Sequence, residues 1–143
     1  MKKLILLFLL ITGSLQAQNT ISVLYYPTDK GIGLKYDRQV HNSGLYIAMS
    51  KGNYRISETE SIKTHIKTGF GYVRYLKNED LTSSYISIGP SYHYYSNQLM
   101  PERAYYPISF DLGTGVKFEH TMIGFCFDFL KWEGGINFGI NFN

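Results

Sequence analysis

The C-terminal segment Gly134–Asn143, GGINFGINFN, alternates without a break. Ile136, Phe138, Ile140 and Phe142 share one parity, and Asn137, Gly139 and Asn141 share the other. Successive side chains of a strand point to opposite faces, so one face here is wholly apolar and the other is small and polar. A soluble sandwich would bury that apolar face in a core. A transmembrane barrel would turn it toward lipid and keep the polar face inside.

The other end of the chain favours the second option. Met1-Lys2-Lys3 is followed by an unbroken apolar run, Leu4–Ile11, and then by Thr12-Gly13-Ser14-Leu15-Gln16-Ala17. A short basic head, a run of this length and a small residue before the expected cut form a secretory signal, too short to span a membrane as a helix. The expected division is a signal peptide over residues 1–17 and one domain over residues 18–143. Lys2 and Lys3 leave with the signal, so the formal net charge of +3 falls close to neutrality. No basic stripe remains to suggest nucleic acid as a partner. Cys126 is the only cysteine, which excludes an intrachain disulfide.

The chain carries 13 Tyr, 9 Phe and 14 Gly, a composition that suits strands. Eight segments read as strands: 20–26, 31–37, 44–50, 62–75, 84–95, 106–118, 121–130 and 135–142. Turn-rich stretches such as Pro27–Lys30, His41–Gly44, Lys77–Asp80 and Glu119-His120 separate them. The expected fold class is all-β, an eight-stranded antiparallel up-and-down transmembrane β-barrel.

Alternation sets the faces. Ile21, Val23, Tyr25, Ile32, Leu34, Leu45, Ile47, Met49, Phe70, Ile86, Ile88, Phe110, Ile123, Phe125 and Phe127 fall on the outward side, and none is charged. Two-residue turns at Thr28-Asp29 and Glu119-His120 pair Tyr25 with Ile32, Val23 with Leu34, Val116 with Ile123 and Leu112 with Phe127. A two-residue turn at Trp132-Glu133 pairs Phe127 with Phe138 and Phe125 with Ile140. A slip of one residue would send either set inward.

With the N-terminus in the periplasm, Tyr25, Tyr26, Tyr54, Tyr94, Tyr95, Tyr105, Tyr106 and Trp132 cluster at the outer rim. Tyr36, Tyr72, Tyr75, Tyr85, Phe118 and Phe142 cluster at the other. Two aromatic girdles flanking an apolar band are the pattern of a membrane-spanning barrel.

Here the chain resembles the small eight-stranded outer-membrane β-barrel proteins, the OmpX-like and opacity-type porin-family group. The resemblance covers nearly all of residues 20–143, in pattern rather than in a diagnostic motif. Its most specific element is the final strand, FGINF, which looks like the signal presented to the barrel-insertion machinery. Such proteins usually end on the aromatic itself, whereas here Asn143 follows Phe142. The Ala17-Gln18 junction and the Tyr/Asn-rich style resemble Bacteroidetes outer-membrane proteins. The resemblance implies residence in the outer membrane of a Gram-negative bacterium, with outer-membrane lipid and the insertion machinery as partners.

The inward parity holds the candidate chemistry. Asp111 is placed opposite Asp128 and Asp128 opposite Asn137, with Lys63, His65 and Lys67 toward the same outer half. Adjacent carboxylates disfavour joint ionisation unless a cation sits between them. An interior polar network that fills a narrow lumen explains these residues better than a carboxylate–histidine site acting on lipid. Lys35, Asp37, Lys117 and Glu119 form a second, charge-balanced inward group near the periplasmic end. Tyr26, Tyr46 and Tyr85 are expected to fill the interior, leaving no open pore. No catalytic set, metal site or cofactor is read: there is no Gly-x-Ser-x-Gly elbow, and no histidine pair has metal-ligand spacing with a third ligand in sequence.

The expected role is therefore structural or surface-interacting, with a ligand that the sequence does not name. The alternatives are an outer-membrane enzyme modifying lipid A or phospholipid, and a soluble periplasmic lipid carrier with an apolar interior.

Overall fold

The computed structural model describes residues 17–54, 63–79, 82–96 and 107–142. Eight strands follow one another: β1 (Ala17–Tyr26), β2 (Gly31–Val40), β3 (Ser43–Tyr54), β4 (Lys63–Glu79), β5 (Thr82–Tyr95), β6 (Ile108–Lys117), β7 (Thr121–Asp128) and β8 (Glu133–Phe142). Each pairs antiparallel with the next, and β1 pairs with β8 to close the sheet into a barrel. Several strands outrun their sequence limits. β3 continues to Tyr54, and β4 runs through Lys77–Glu79, which reads as a turn in the sequence, with a bulge there against β5.

The alternating pattern is realised as an inside-out protein. Ile136, Phe138, Ile140 and Phe142 lie outward and exposed, beside Ile21, Val23, Ile32, Leu34, Leu45, Ile47, Met49, Phe70, Ile86, Ile88, Phe110, Ile123 and Phe125. Phe127, also outward, is half covered by Phe129 and Trp132, whose rings stand nearly perpendicular to its own. The lumen holds Ser, Thr, Asn, Asp, Lys and His together with Leu24, Tyr26, Tyr46, Val73, Tyr75, Tyr85 and Met122. A soluble lipid carrier needs the reverse arrangement, so that alternative does not match these faces.

The β1–β2 register pairs Tyr25 with Ile32 and Val23 with Leu34, as read from the sequence. The β6–β7 register pairs Leu112 with Phe127, Val116 with Ile123 and Asp111 with Asp128, also as read. The β7–β8 register differs: Phe125 meets Ile136 and Ile123 meets Phe138. The reason is the turn. The favoured two-residue hairpin loops, types I′ and II′, call for Gly, Asn or Asp at their positive-φ positions, and Trp132-Glu133 supplies none. The chain instead turns over Phe129–Trp132, with a left-handed conformation at Trp132 (φ 54°). The Asp128 carboxylate accepts the Lys131 N–H at 3.1 Å and holds this turn. The displacement spans an even number of residues, so every face is kept. Its cost to the sequence reading is that Asn137 moves away from Asp128 and lies opposite Gly124.

Glycines let the lumen close on its aromatic rings. A Cβ at Gly115 would meet Gly124 Cα at 2.6 Å and Tyr85 Cε1 at 2.7 Å, and one at Gly71 would meet both Gly89 Cα and Tyr46 Cε1 at 2.7 Å. At Gly134, on the outward parity, nothing lies within 4 Å. Gly115→Ala is expected to destabilise the folded barrel by about 1–3 kcal/mol through overpacking. Gly134→Ala should stay within about 0.5 kcal/mol of the parent. Urea unfolding of the two variants in detergent micelles measures the contrast, and equal midpoints would refute it.

Candidate functional site

The outer half of the lumen carries a connected polar cluster. Its hub is Asp128, the last residue of β7, which is fully buried. One carboxylate oxygen accepts from the Ser109 hydroxyl and from the Lys131 backbone. The other lies 3.0 Å from Lys67 Nζ and 2.7 Å from His93 Nε2. Lys67 Nζ also donates to Asp111 Oδ1 at 2.6 Å, so it sits between the two facing carboxylates. Opposing like charges in a dry site are tolerable because that ammonium is shared between them. Lys67 further lies over the ring of Tyr26, 5.0 Å from its centroid.

From His93 the chain of contacts continues outward. His93 Nδ1 faces His65 Nε2 at 2.9 Å, and His65 Nδ1 meets Asp29 Oδ2 at 2.8 Å. The His65 and His93 rings are nearly coplanar and meet edge to edge, centroids 5.1 Å apart, while Tyr95 stacks on His65 at 4.6 Å. Asp29 belongs to the β1–β2 turn, where its other oxygen accepts the Gly31 N–H at 2.9 Å. The side chain folds inward over Gly31 and Gly52, and a Cβ on either glycine would collide with it. Glu133, at the start of β8, is buried beside the two histidines.

The structure thus brings together His65, Lys67, Asp111 and Asp128. Asn137 sits apart, a level lower, where its amide both donates to the Tyr85 hydroxyl (3.1 Å) and accepts from it (3.2 Å). The side chain of Lys63 falls outside the described part of that residue. Three members escaped the sequence reading. Asp29 and Glu133 fall in turns by sequence pattern, and a two-residue turn at Trp132-Glu133 conceals Glu133. His93 shares the parity of the inward Gly89, and that was the available signal.

The rim residues divide as well. Tyr25, Tyr94 and Trp132 are exposed, whereas Tyr95 stacks on His65 within the lumen. Tyr105 and Tyr106 lie outside the described residues, as does the side chain of Tyr54. Tyr26, Tyr75 and Tyr85 are buried inward rather than at a girdle, because each lies on the lumen parity of its strand.

The lower group also changes. Lys35, Asp37 and Lys117 are buried, but Glu119 is exposed in the β6–β7 turn beside His120. Tyr75 donates to Asp37, Lys117 donates to Gln39 Oε1 at 2.8 Å, and Lys35 lies over Tyr46 and Tyr85.

Ser91, His93 and Asp128 do not form a nucleophile relay. Such a relay places the hydroxyl on one ring nitrogen and the acid on the other. Here Ser91 Oγ (3.3 Å) and Asp128 both address Nε2 of His93.

The fold is that of the small eight-stranded outer-membrane barrels. It is similar to the N-terminal β-barrel domain of Pseudomonas aeruginosa OprF, with a TM-score of 0.59 and 12% identity over 88% of this chain and 96% of that one. It is also similar to the Yersinia pestis outer membrane protein Ail in a phospholipid bilayer nanodisc, with a TM-score of 0.53 and 14% identity over 89% and 99% of the two chains. Neisserial surface protein A gives a TM-score of 0.53 and 8% identity over 87% and 92%. No protein-family model matches the sequence, and no curated protein is a significant match to it.

Removing the charge of Asp128 leaves Lys67 half-paired and His93 without its anionic partner. Asp128→Asn is expected to destabilise the barrel by about 3–5 kcal/mol, the range for breaking a buried pair. Asp111→Asn should cost less, since Lys67 retains Asp128. Thermal unfolding of both variants in detergent checks the order, and a larger loss at Asp111 would reverse the assignment of the hub.

Proposed function

We propose that the mature protein is an integral outer-membrane barrel with a structural or surface-interacting role and no open pore. The observation that carries this reading is the division of faces. The outward surface between the rims is uncharged and, apart from Thr68 and Thr114, apolar, and the charged outward residues Arg38, Lys51 and Arg74 lie toward strand ends. Water would penalise that band and hydrocarbon would not. Tyr25, Tyr94 and Trp132 at one rim, with Tyr36, Tyr72, Phe118 and Phe142 at the other, suit the interfacial zones. Residues 1–17 act as the export signal, cleaved before Gln18, and the Phe142-terminated strand engages the insertion machinery. The lipid of the outer membrane is the principal partner, and the outer turns and connections meet surface ligands.

The interior supports the closed state. Tyr26, Tyr46, Tyr75 and Tyr85 reach across a barrel of the size that side chains fill, and their rings carry the ammonium groups of Lys67, Lys35 and Lys117.

Phe138 sits at mid-strand on the outward face. Phe138→Arg should destabilise the protein in bilayers by about 2–4 kcal/mol, whereas Leu130→Arg, in the outer turn, should cost about 0–1 kcal/mol. Cell fractionation supplies the direct test: the mature chain belongs with the outer membrane, and its recovery in the soluble periplasm would overturn the reading.

Purified protein in planar bilayers should show no large, steady conductance. A stable open channel would contradict the filled lumen.

A further inference from the structure

We propose that the outer end of the lumen is a binding site for a zinc-class divalent cation, with His65, His93 and Glu133 as ligands. One nitrogen of each histidine and one oxygen of Glu133 lie within 4.8 Å of one another, and all three residues are buried. They come from β4, β5 and β8, so barrel closure is what assembles them.

The hydrogen count of the two imidazoles argues for a cation. His65 Nδ1 faces Asp29 Oδ2 and His93 Nε2 faces Asp128 Oδ2, so each of those nitrogens carries a proton for its carboxylate. Two neutral rings then have none left. Their remaining nitrogens, His65 Nε2 and His93 Nδ1, would point bare lone pairs at each other across 2.9 Å. Something positive belongs between them. A third proton would serve, and so would a metal ion, which binds the lone pairs of neutral imidazoles.

Four features favour the metal. Two imidazoles and a carboxylate make a donor set suited to zinc, with a position left for water. A histidine that ligates a metal usually donates its other ring N–H to a carboxylate, and both rings here already do so. The space needed is small: zinc about 2.0–2.1 Å from each nitrogen, in tetrahedral geometry, separates them by roughly 3.3 Å. Charge also balances. Asp29, Asp111, Asp128 and Glu133 face Lys67, with Lys131 above them over the Tyr95 ring. With both rings neutral, these described side chains leave two negative charges over, which a divalent cation cancels.

The experiment uses untagged, folded, full-length mature protein in detergent, stripped with chelator and titrated with Zn²⁺ by calorimetry. Stoichiometric binding near one ion per chain is expected, with a rise in the unfolding midpoint that Mg²⁺ and Ca²⁺ do not reproduce. Co²⁺ in place of Zn²⁺ should give the intense visible absorption of a four-coordinate site. Glu133→Gln should weaken zinc by at least tenfold. Asp29→Asn leaves every ligand in place and should weaken it by about 10–100-fold. His41→Ala with His120→Ala, at exposed turn positions, should leave binding unchanged. Absence of zinc binding by the unsubstituted protein would overturn the proposal. So would binding that survives Glu133→Gln and Asp29→Asn undiminished, or that disappears with His41 and His120. If either carboxylate variant unfolds, the Co²⁺ spectrum of the unsubstituted protein decides: octahedral, weak bands would count against the site.

Discussion

Pairing of β1 with β8 is the constraint on which the rest depends. Hydrocarbon offers no partner to a backbone N–H or C=O, so a sheet can cross it only when no edge is left. Closure fixes the sidedness of every residue at once, since side-chain direction alternates along each strand. The apolar side faces out, and the polar side is enclosed in a space with little room for water. The enclosed groups must therefore satisfy one another, and the Asp128–Lys67–Asp111 and Asp29–His65–His93 contacts are how they do it.

The lumen is not uniform along its axis. Among the described residues, its outer level holds Asp29, Asp111, Asp128 and Glu133 against Lys67 and Lys131, an excess of acid. Among the described residues, its lower level holds Lys35 and Lys117 with Asp37, an excess of base once Glu119 is found outside. Between them lie Tyr46 and Tyr85, whose π faces accommodate the ammonium of Lys35, a contact worth about 0.5–2 kcal/mol.

Much of this was legible in the sequence because period-two alternation is local information. It reports the face of Phe138 or Asp111 without knowledge of the neighbouring strand. Registers were legible where the turn was simple, as at Glu119-His120, which fixes Asp111 opposite Asp128. They failed at Phe129–Trp132, where a carboxylate-capped turn replaced the shorter one and moved Asn137 to a different level. The candidate site was half visible. His65 and Lys67 stand on a readable strand, but Asp29 reaches inward from a turn, and its orientation depends on the space left by Gly31 and on Gly52 of another strand. Tyr95 belonged to the outer rim by sequence position and to the lumen by parity, and parity decided.

The tyrosine rings laid against glycines have an evolutionary corollary. Tyr85 lies against Gly115 and Gly124, Tyr46 against Gly71, and Tyr26 against Gly135. In each group one member supplies bulk that the others have given up, across different strands. Neither side can change alone without a collision or a void. Among homologues these positions should drift as linked sets, a larger residue appearing at 124, where the Tyr85 hydroxyl is the nearest obstacle, only where position 85 has shrunk. Such sets would record the barrel's registers in an alignment even after the outward residues, free to exchange one apolar side chain for another, had lost all resemblance.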